Sequence, residues 1–276
     1  MKRPFTQVDV FSSTPYLGNP LAVVLDGDGL STEEMQRFAA WTNLSETTFL
    51  LPPTTPQADY RVRIFTPAAE LPFAGHPTLG SCHAWLEAGG EPRTDGVVVQ
   101  ECGAGLVTLR LTDEGPAFHA PPLVRSGPVE EELLERIAAS LGISRGDLVD
   151  AEWADNGPGW VGVLLRDAEA VLALRPGLVP LDVGVAGPYP EGSPYAFEVR
   201  AFFPYHGSTV EDPVTGSLNA SLGQWLLRTG RARAPYVASQ GTAVGRAGRV
   251  RVLADEQGDV WVGGSVVTCV SGHVDL

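Results

Sequence analysis

Cations are scarce in this sequence: 19 Lys plus Arg stand against 33 Asp plus Glu, a net charge of −14. Binding to a phosphate backbone needs clustered cationic side chains, so no nucleic-acid partner is expected. Cysteine is almost missing as well. Cys82, Cys102 and Cys269 are an odd number, at spacings that suit neither a disulfide framework nor a metal cluster, which fits structural thiols in a reducing compartment. No apolar run approaches the roughly 20 residues of a membrane span. The opening MKRPFTQVDVF carries two cations without a signal-peptide core behind them. Together these absences lead to the expectation of a soluble, cytoplasmic chain with no membrane partner. No Gly-rich dinucleotide fingerprint, Schiff-base lysine context or metal-ligand set stands out, so neither a cofactor nor a metal is expected.

What is abundant is glycine and proline, 32 and 23 of 276 residues, the composition of many short strands and turns. The length favours two domains of ordinary size. The chain also repeats itself. Arg63-x-Phe65-x-Pro67 returns as Arg200-x-Phe202-x-Pro204, a shift of 137, while His76-Pro77 meets Asp212-Pro213 and Gly80-Ser81 meets Gly216-Ser217 at a shift of 136. Internal repeats of this kind set the architecture before any single element is assigned.

The first half places a capping box at Ser31-Thr32-Glu33-Glu34, followed by a helix whose inward stripe is Met35, Phe38, Ala39 and Thr42. Leu134, Ile137, Ala138 and Leu141, stopped by Gly142, are matched to it in the second half. Strand-like runs follow at 48–51 and 60–65, then at 161–165 and 196–203, with further strands at 97–100 and 249–252. The expected fold class is α+β: two pseudo-twofold-related domains, each a sheet wrapped around a central helix. The domains are expected at 1–119 and 120–260, with 261–276 as final strands that could return to the first domain.

Asp212-Pro213 is expected to open a helix, and His76-Pro77 its counterpart, because Asp caps well and Pro suits a first helical turn. The first turn presents unpaired N–H groups and partial positive charge. Gly80 and Gly216 would then admit a carboxylate-bearing ligand, with Thr215 and Ser217 adding hydroxyl donors. Taken singly, Asp before Pro is most often just a cap, and a lone His fits equally well as a ring that bonds a neighbouring carbonyl. Two ionisable residues at equivalent pre-proline positions are more than packing requires. Glu46, read by itself, is a carboxylate in a polar turn and suits a surface loop.

Asn43-Leu44-Ser45-Glu46-Thr47, Phe73-Ala74-Gly75-His76-Pro77 and Glu211-Asp212-Pro213-Val214-Thr215-Gly216-Ser217, with Gly18-Asn19-Pro20 near the start, resemble the PhzF-type phenazine-biosynthesis isomerase family over essentially the whole chain. The resemblance implies a diaminopimelate-epimerase-like fold and a homodimer. It also implies an acid/base role for Glu46, with His76 and Asp212 as further catalytic groups and Asn19, Gly75, Thr215, Gly216 and Ser217 around the substrate. Epimerases of the wider fold use two facing cysteines; here Cys82, Cys102 and Cys269 fall opposite Leu218, Ala238 and Leu133, so no thiol has a symmetric mate. The expected activity is a cofactor-independent isomerisation that moves a proton and a double bond in a small carboxylate within an inter-domain cleft. Epimerisation through carboxylates, or binding without chemistry, are the alternatives.

Overall fold

The computed structural model describes residues 1–276. They divide into two compact units, one of Met1–His119 with Gly263–Leu276 and one of Ala120–Val262. No helix is long and apolar enough to cross a membrane.

The first unit runs β1 (Lys2–Val10), β2 (Asn19–Val24), α1 (Thr32–Thr42), β3 (Thr47–Leu51), β4 (Tyr60–Phe65), β5 (Glu70–Leu71), α2 (Gly75–Glu87), β6 (Val97–Cys102), β7 (Gly105–Thr112) and β8 (Gly115–His119). β1 pairs antiparallel with β2, β2 parallel with β3, β3 antiparallel with β4, and β4 parallel with β6. α1 starts where the sequence says it should: Glu34 N–H donates to Ser31 Oγ at 3.2 Å and Ser31 N–H to Glu34 Oε2 at 2.8 Å. Met35, Phe38 and Ala39 are buried with Phe49 and Phe65, whereas Thr42 is only half-buried and bonds across the next turn.

α2 is the central helix. Every residue from Gly75 to Cys82 is buried, and the helix touches β1, β2, β3, β6 and β8, so the sheet curves around it. Gly80 is what lets it come so close. A Cβ there would lie 2.6 Å from Leu21 Cδ2 and 3.0 Å from both Val8 and Val10 Cγ2. Gly80 therefore serves packing, not the ligand approach expected from the sequence.

The second unit runs β9 (Arg125–Pro128), α3 (Glu131–Leu141), β10 (Asp150–Asp155), β11 (Val161–Leu164), α4 (Ala168–Ala173), β12 (Val183–Pro188), β13 (Phe197–Tyr205), β14 (Ser208–Asp212), α5 (Gly216–Arg228), β15 (Tyr236–Gln240), β16 (Gly248–Ala254) and β17 (Val260–Gly263). The chain then ends in β18 (Val266–Asp275), which lies antiparallel to β1 in the first unit. Around α5 the glycines sit on the strands. A Cβ on Gly184 would stand 2.1 Å from Leu218 Cδ1, and one on Gly162 3.0 Å from Leu222 and Trp225.

Strand pairing corrects how the halves correspond. β11 runs parallel to β12 and β13 parallel to β15, as β2 does to β3 and β4 to β6. β12 is thus the partner of β3, and α4, the crossover before it, is the partner of α1. Asp167 caps α4 by accepting from Ala170 N–H at 2.7 Å; it stands 136 residues after Ser31. The helix of Leu134, Ile137, Ala138 and Leu141, matched to α1 from its spacing, is α3, which lies between β9 and β10 and has no counterpart in the first unit. Its buried stripe is real; α4 is only six residues long, too short to show a periodicity.

The repeated Arg-x-Phe is a brace in both units. Arg63 holds Glu70 through Nε and Nη2 at 2.7 and 2.6 Å and lies 5.1 Å over the Phe65 ring. Arg200 holds Glu211 at 3.0 and 2.7 Å and lies 4.8 Å over Phe202. Each two-point pair ties an inner strand to the short strand beside it.

Candidate active site

Glu46 is placed by the way α1 ends. Asn43 adopts the left-handed conformation and its N–H reaches the Ala39 carbonyl at 3.3 Å, so the helix stops and the chain turns back. The Thr42 and Thr47 hydroxyls bond across this turn at 2.9 Å. Glu46 becomes the last residue before β3, with its side chain 16% exposed. A turn that looks like surface in the sequence thus holds a carboxylate facing inward.

His76 is the second residue of α2 and 5% exposed; its Nδ1 lies 3.5 Å from Glu46 Oε2 and 3.5 Å from Asn19 Nδ2. Asn19 is fully buried at the start of β2. It is delivered there by Gly18, whose N–H donates to Asp9 Oδ2 at 2.7 Å and which passes so near β1 that a Cβ would lie 2.2 Å from the Val10 carbonyl oxygen. Gly75 is buried beside His76 in the same helical turn. Ser81 Oγ donates to Thr48 Oγ1 at 2.9 Å and ties that helix to the strand Glu46 leads into. Asn19, Glu46, Gly75 and His76 therefore form one cluster.

Burial pushes the His76 imidazole down to about 3, against a smaller upward pull from the Pro20 carbonyl. The ring is neutral near pH 7, and its contact with Glu46 is not an ion pair. A neutral ring has two options at Nδ1. With a proton there it donates to the carboxylate; without one it accepts from Asn19 or from a protonated Glu46. The imidazole can match either state of the carboxylate without becoming charged.

The second unit gathers the remaining sequence-derived residues. Asp212 is the last residue of β14 and does not open α5; the helix begins at Gly216 with Thr215 as its N-cap. Gln240 braces the turn between them: its Oε1 accepts from Thr215 N–H at 3.0 Å and its Nε2 donates to the Asp212 carbonyl at 3.2 Å. Thr215 Oγ1 donates to Asp212 Oδ2 at 2.6 Å. Ser217, in the first turn, accepts at Oγ from Trp160 Nε1 at 3.2 Å and at its carbonyl from Asn156 Nδ2 at 2.9 Å. Asp212, Thr215, Gly216 and Ser217 make a second cluster.

Asn156, Trp160 and Gln240 were missed from sequence. The signals were present: Asn156-Gly157-Pro158-Gly159-Trp160 is a breaker-rich loop carrying two polar-tipped side chains, and Gln240 closes the run Tyr236-Val237-Ala238-Ser239 just before a glycine. Asp155 shapes the loop by accepting from the N–H of Gly157 and of Gly159, both at 2.7 Å. Asp182 was also overlooked. It precedes β12 as Glu46 precedes β3, at the repeat's shift of 136, and burial, aided by the charge of Asp155, raises it to about 6. Cys82 is fully buried and pushed up to about 12 by that burial, which leaves it inert as a nucleophile.

Comparison with known proteins matches this arrangement to one family. The model of the phenazine biosynthesis-like proteins covers residues 8–272. Antisense-enhancing sequence 1 of Schizosaccharomyces pombe is 37% identical over 290 residues, spanning 97% of each chain. Trans-2,3-dihydro-3-hydroxyanthranilate isomerase of Pseudomonas aeruginosa is 35% identical over 268 residues, 92% of this chain and 91% of its own. The crystal structure of a PhzF-family phenazine biosynthesis protein from Bacillus anthracis shares the fold over the full length of both chains, with a TM-score of 0.84 at 23% identity. With motifs, repeat and fold in agreement, this chain belongs to the phenazine biosynthesis-like family, PhzC-PhzF, which includes enzymes named isomerases.

Proposed function

We propose that this protein is an isomerase that moves a proton, and with it a double bond, within a small carboxylate such as a cyclohexadiene amino acid. The observation that carries the reading is Glu46 set against a buried, neutral His76, with Asn19 on the same ring nitrogen. As a carboxylate, Glu46 takes a proton from a carbon of the substrate. The C–H electron pair shifts into the conjugated system, and the protonated Glu46, its proton exchanging with solvent, protonates a different carbon and ends as the carboxylate it began as. Proton and electrons balance without a redox partner. The first turn of α2 supplies N–H dipoles for the substrate's negative charge. Asp212 and Ser217 are proposed to act on the same substrate, on the strength of the repeat that pairs their loop with that of His76.

The test is turnover of trans-2,3-dihydro-3-hydroxyanthranilate, followed by ultraviolet absorbance. Glu46→Gln keeps the side chain's shape and removes its titrating group, and the rate is expected to fall by roughly 10²–10⁴-fold. A Glu46→Gln enzyme as fast as wild type rejects the assignment. A second reading, epimerisation between two carboxylates, is favoured by the equivalence of Glu46 and Asp182 in the repeat. It predicts decay of optical rotation with no change in absorbance.

A further inference from the structure

Each unit buries one glutamine at the foot of its central helix. Gln100 on β6 and Gln240 on β15 are both fully buried, on strands that occupy equivalent places in the two sheets. Gln100 Nε2 donates to Thr78 Oγ1 at 3.0 Å, and Gln240 Nε2 donates to Thr215 Oγ1 at 2.9 Å. Each threonine lies two or three residues beyond the ionisable residue of its motif, His76 or Asp212. The remaining partners differ between the units. Gln100 Oε1 accepts from the Tyr60 hydroxyl at 2.9 Å. Gln240 Oε1 accepts from Thr215 N–H at 3.0 Å and from Asn219 Nδ2 at 2.8 Å.

Gln240 thereby uses two acceptor and two donor positions, which is all that a side-chain amide has. Its orientation is fixed, because the oxygen faces a backbone N–H and the nitrogen faces a backbone carbonyl. With Nε2 donating into Thr215 Oγ1, the hydroxyl proton points elsewhere, and Asp212 Oδ2 receives it at 2.6 Å. The hydrogen bonds run one way, from amide to hydroxyl to carboxylate. Two of the four bonds made by Gln240 shape the backbone of the turn; only the Thr215 hydroxyl links it to the Asp212 side chain.

We infer that Gln240 and Thr215 are positioning residues that act on the substrate through Asp212, the glutamine setting the direction of the threonine hydroxyl and the hydroxyl holding the carboxylate in one orientation. The inference rests on the proposed role of Asp212. It gives Thr215 a task different from touching the substrate, since its hydroxyl is engaged on both sides within the protein. It also separates structure from function by chemistry: Thr215→Val removes the link to Asp212 while Gln240 keeps its bonds to the Thr215 N–H and the Asp212 carbonyl.

The experiment is steady-state kinetics on trans-2,3-dihydro-3-hydroxyanthranilate, with melting temperatures alongside, for wild type, Glu46→Gln, Thr215→Val, Thr215→Ser, Asp212→Asn and the Asp212→Asn/Thr215→Val double variant. Thr215→Val is expected to lower kcat about tenfold with KM within about threefold, and Thr215→Ser, which restores the hydroxyl, to recover most of the loss. In the Asp212→Asn background Thr215→Val should change kcat by less than about twofold, because the group it acts through is already altered. If Thr215→Val melts too low to assay, Thr215→Ala replaces it in both backgrounds. A wild-type kcat for Thr215→Val while Glu46→Gln is inactive overturns this inference alone, as does an equal loss in the Asp212→Asn background. A wild-type chain without activity, or a fully active Glu46→Gln, overturns the reading of the site and this inference with it.

Discussion

At the scale of the residue, burial decides the chemistry. His76 is the clearest case, a histidine placed beside a carboxylate and still neutral because desolvation outweighs the upward pull of the Pro20 carbonyl. Labelling the five histidines with 15N and titrating from pH 5 to 8 is expected to leave His76 unchanged; a midpoint near 6.5 would show the ring exposed. Asp182 is displaced in the other sense. Its folded-state value of about 6 lies above the ordinary 3.8, so the charged form is disfavoured by folding. Below about pH 3 the residue is protonated in both states and costs nothing; stability is lost as pH rises from the ordinary 3.8 to about 6 and the loss is complete above that. Asp182→Asn is expected to stabilise by about 1–2 kcal/mol at pH 8 and by nothing at about pH 3, as read by urea denaturation, the side chain being half-buried and partly screened. His76 and Asp212 could be singled out from sequence because each precedes a proline in a repeated motif. Glu46 could not be read by spacing, since nothing in a polar turn says which way its carboxylate points; only the resemblance marked it.

At the scale of the element, local signals worked where local chemistry decides. The Ser31 capping box forms in full, and the stripe of α3 is buried as spaced. The start of α5 was misplaced because β14 runs on through Asp212, and a side chain 28 residues further on, Gln240, braces the turn that follows. No local rule sees that. The pairing of α1 with α3 failed for a similar reason: the stronger periodicity belonged to the wrong helix, and the true partner, α4, shares only a cap and a place in the sheet. Gly80 was given a ligand role from its motif, yet the space beside it is filled by Val8, Val10 and Leu21. Gly80→Ala is expected to gain up to about 1 kcal/mol in helix propensity and to lose about 1–3 kcal/mol to overpacking against two stiff valines. A net drop in melting temperature checks this; a rise would mean that α2 can retreat from the sheet.

At the scale of the whole molecule, the two-unit α+β plan follows from one duplicated pattern of strands. Its trace in the sequence is thin because most equivalent positions need only be apolar, while the best-kept residues are those that turn or brace. Arg63 and Arg200 survive as braces in both units, whereas Gln100 and Gln240 reach their helices from different registers, Gln100 opposite Tyr60 and Gln240 opposite Val199. The repeat has diverged at the ionisable positions. His76 faces Asp212 across the alignment, and Glu46 faces Asp182, so neither half reproduces the other's ionisable groups.

Glu46 as the group that carries the substrate's proton is the claim on which the functional account stands, and hydrogen isotope content reports it directly. Run in deuterium oxide and analysed by mass spectrometry, wild-type turnover of trans-2,3-dihydro-3-hydroxyanthranilate should yield product bearing deuterium at the newly protonated carbon, and Glu46→Gln should incorporate none above the uncatalysed background. Deuterium entering at the wild-type rate with Glu46→Gln would contradict it.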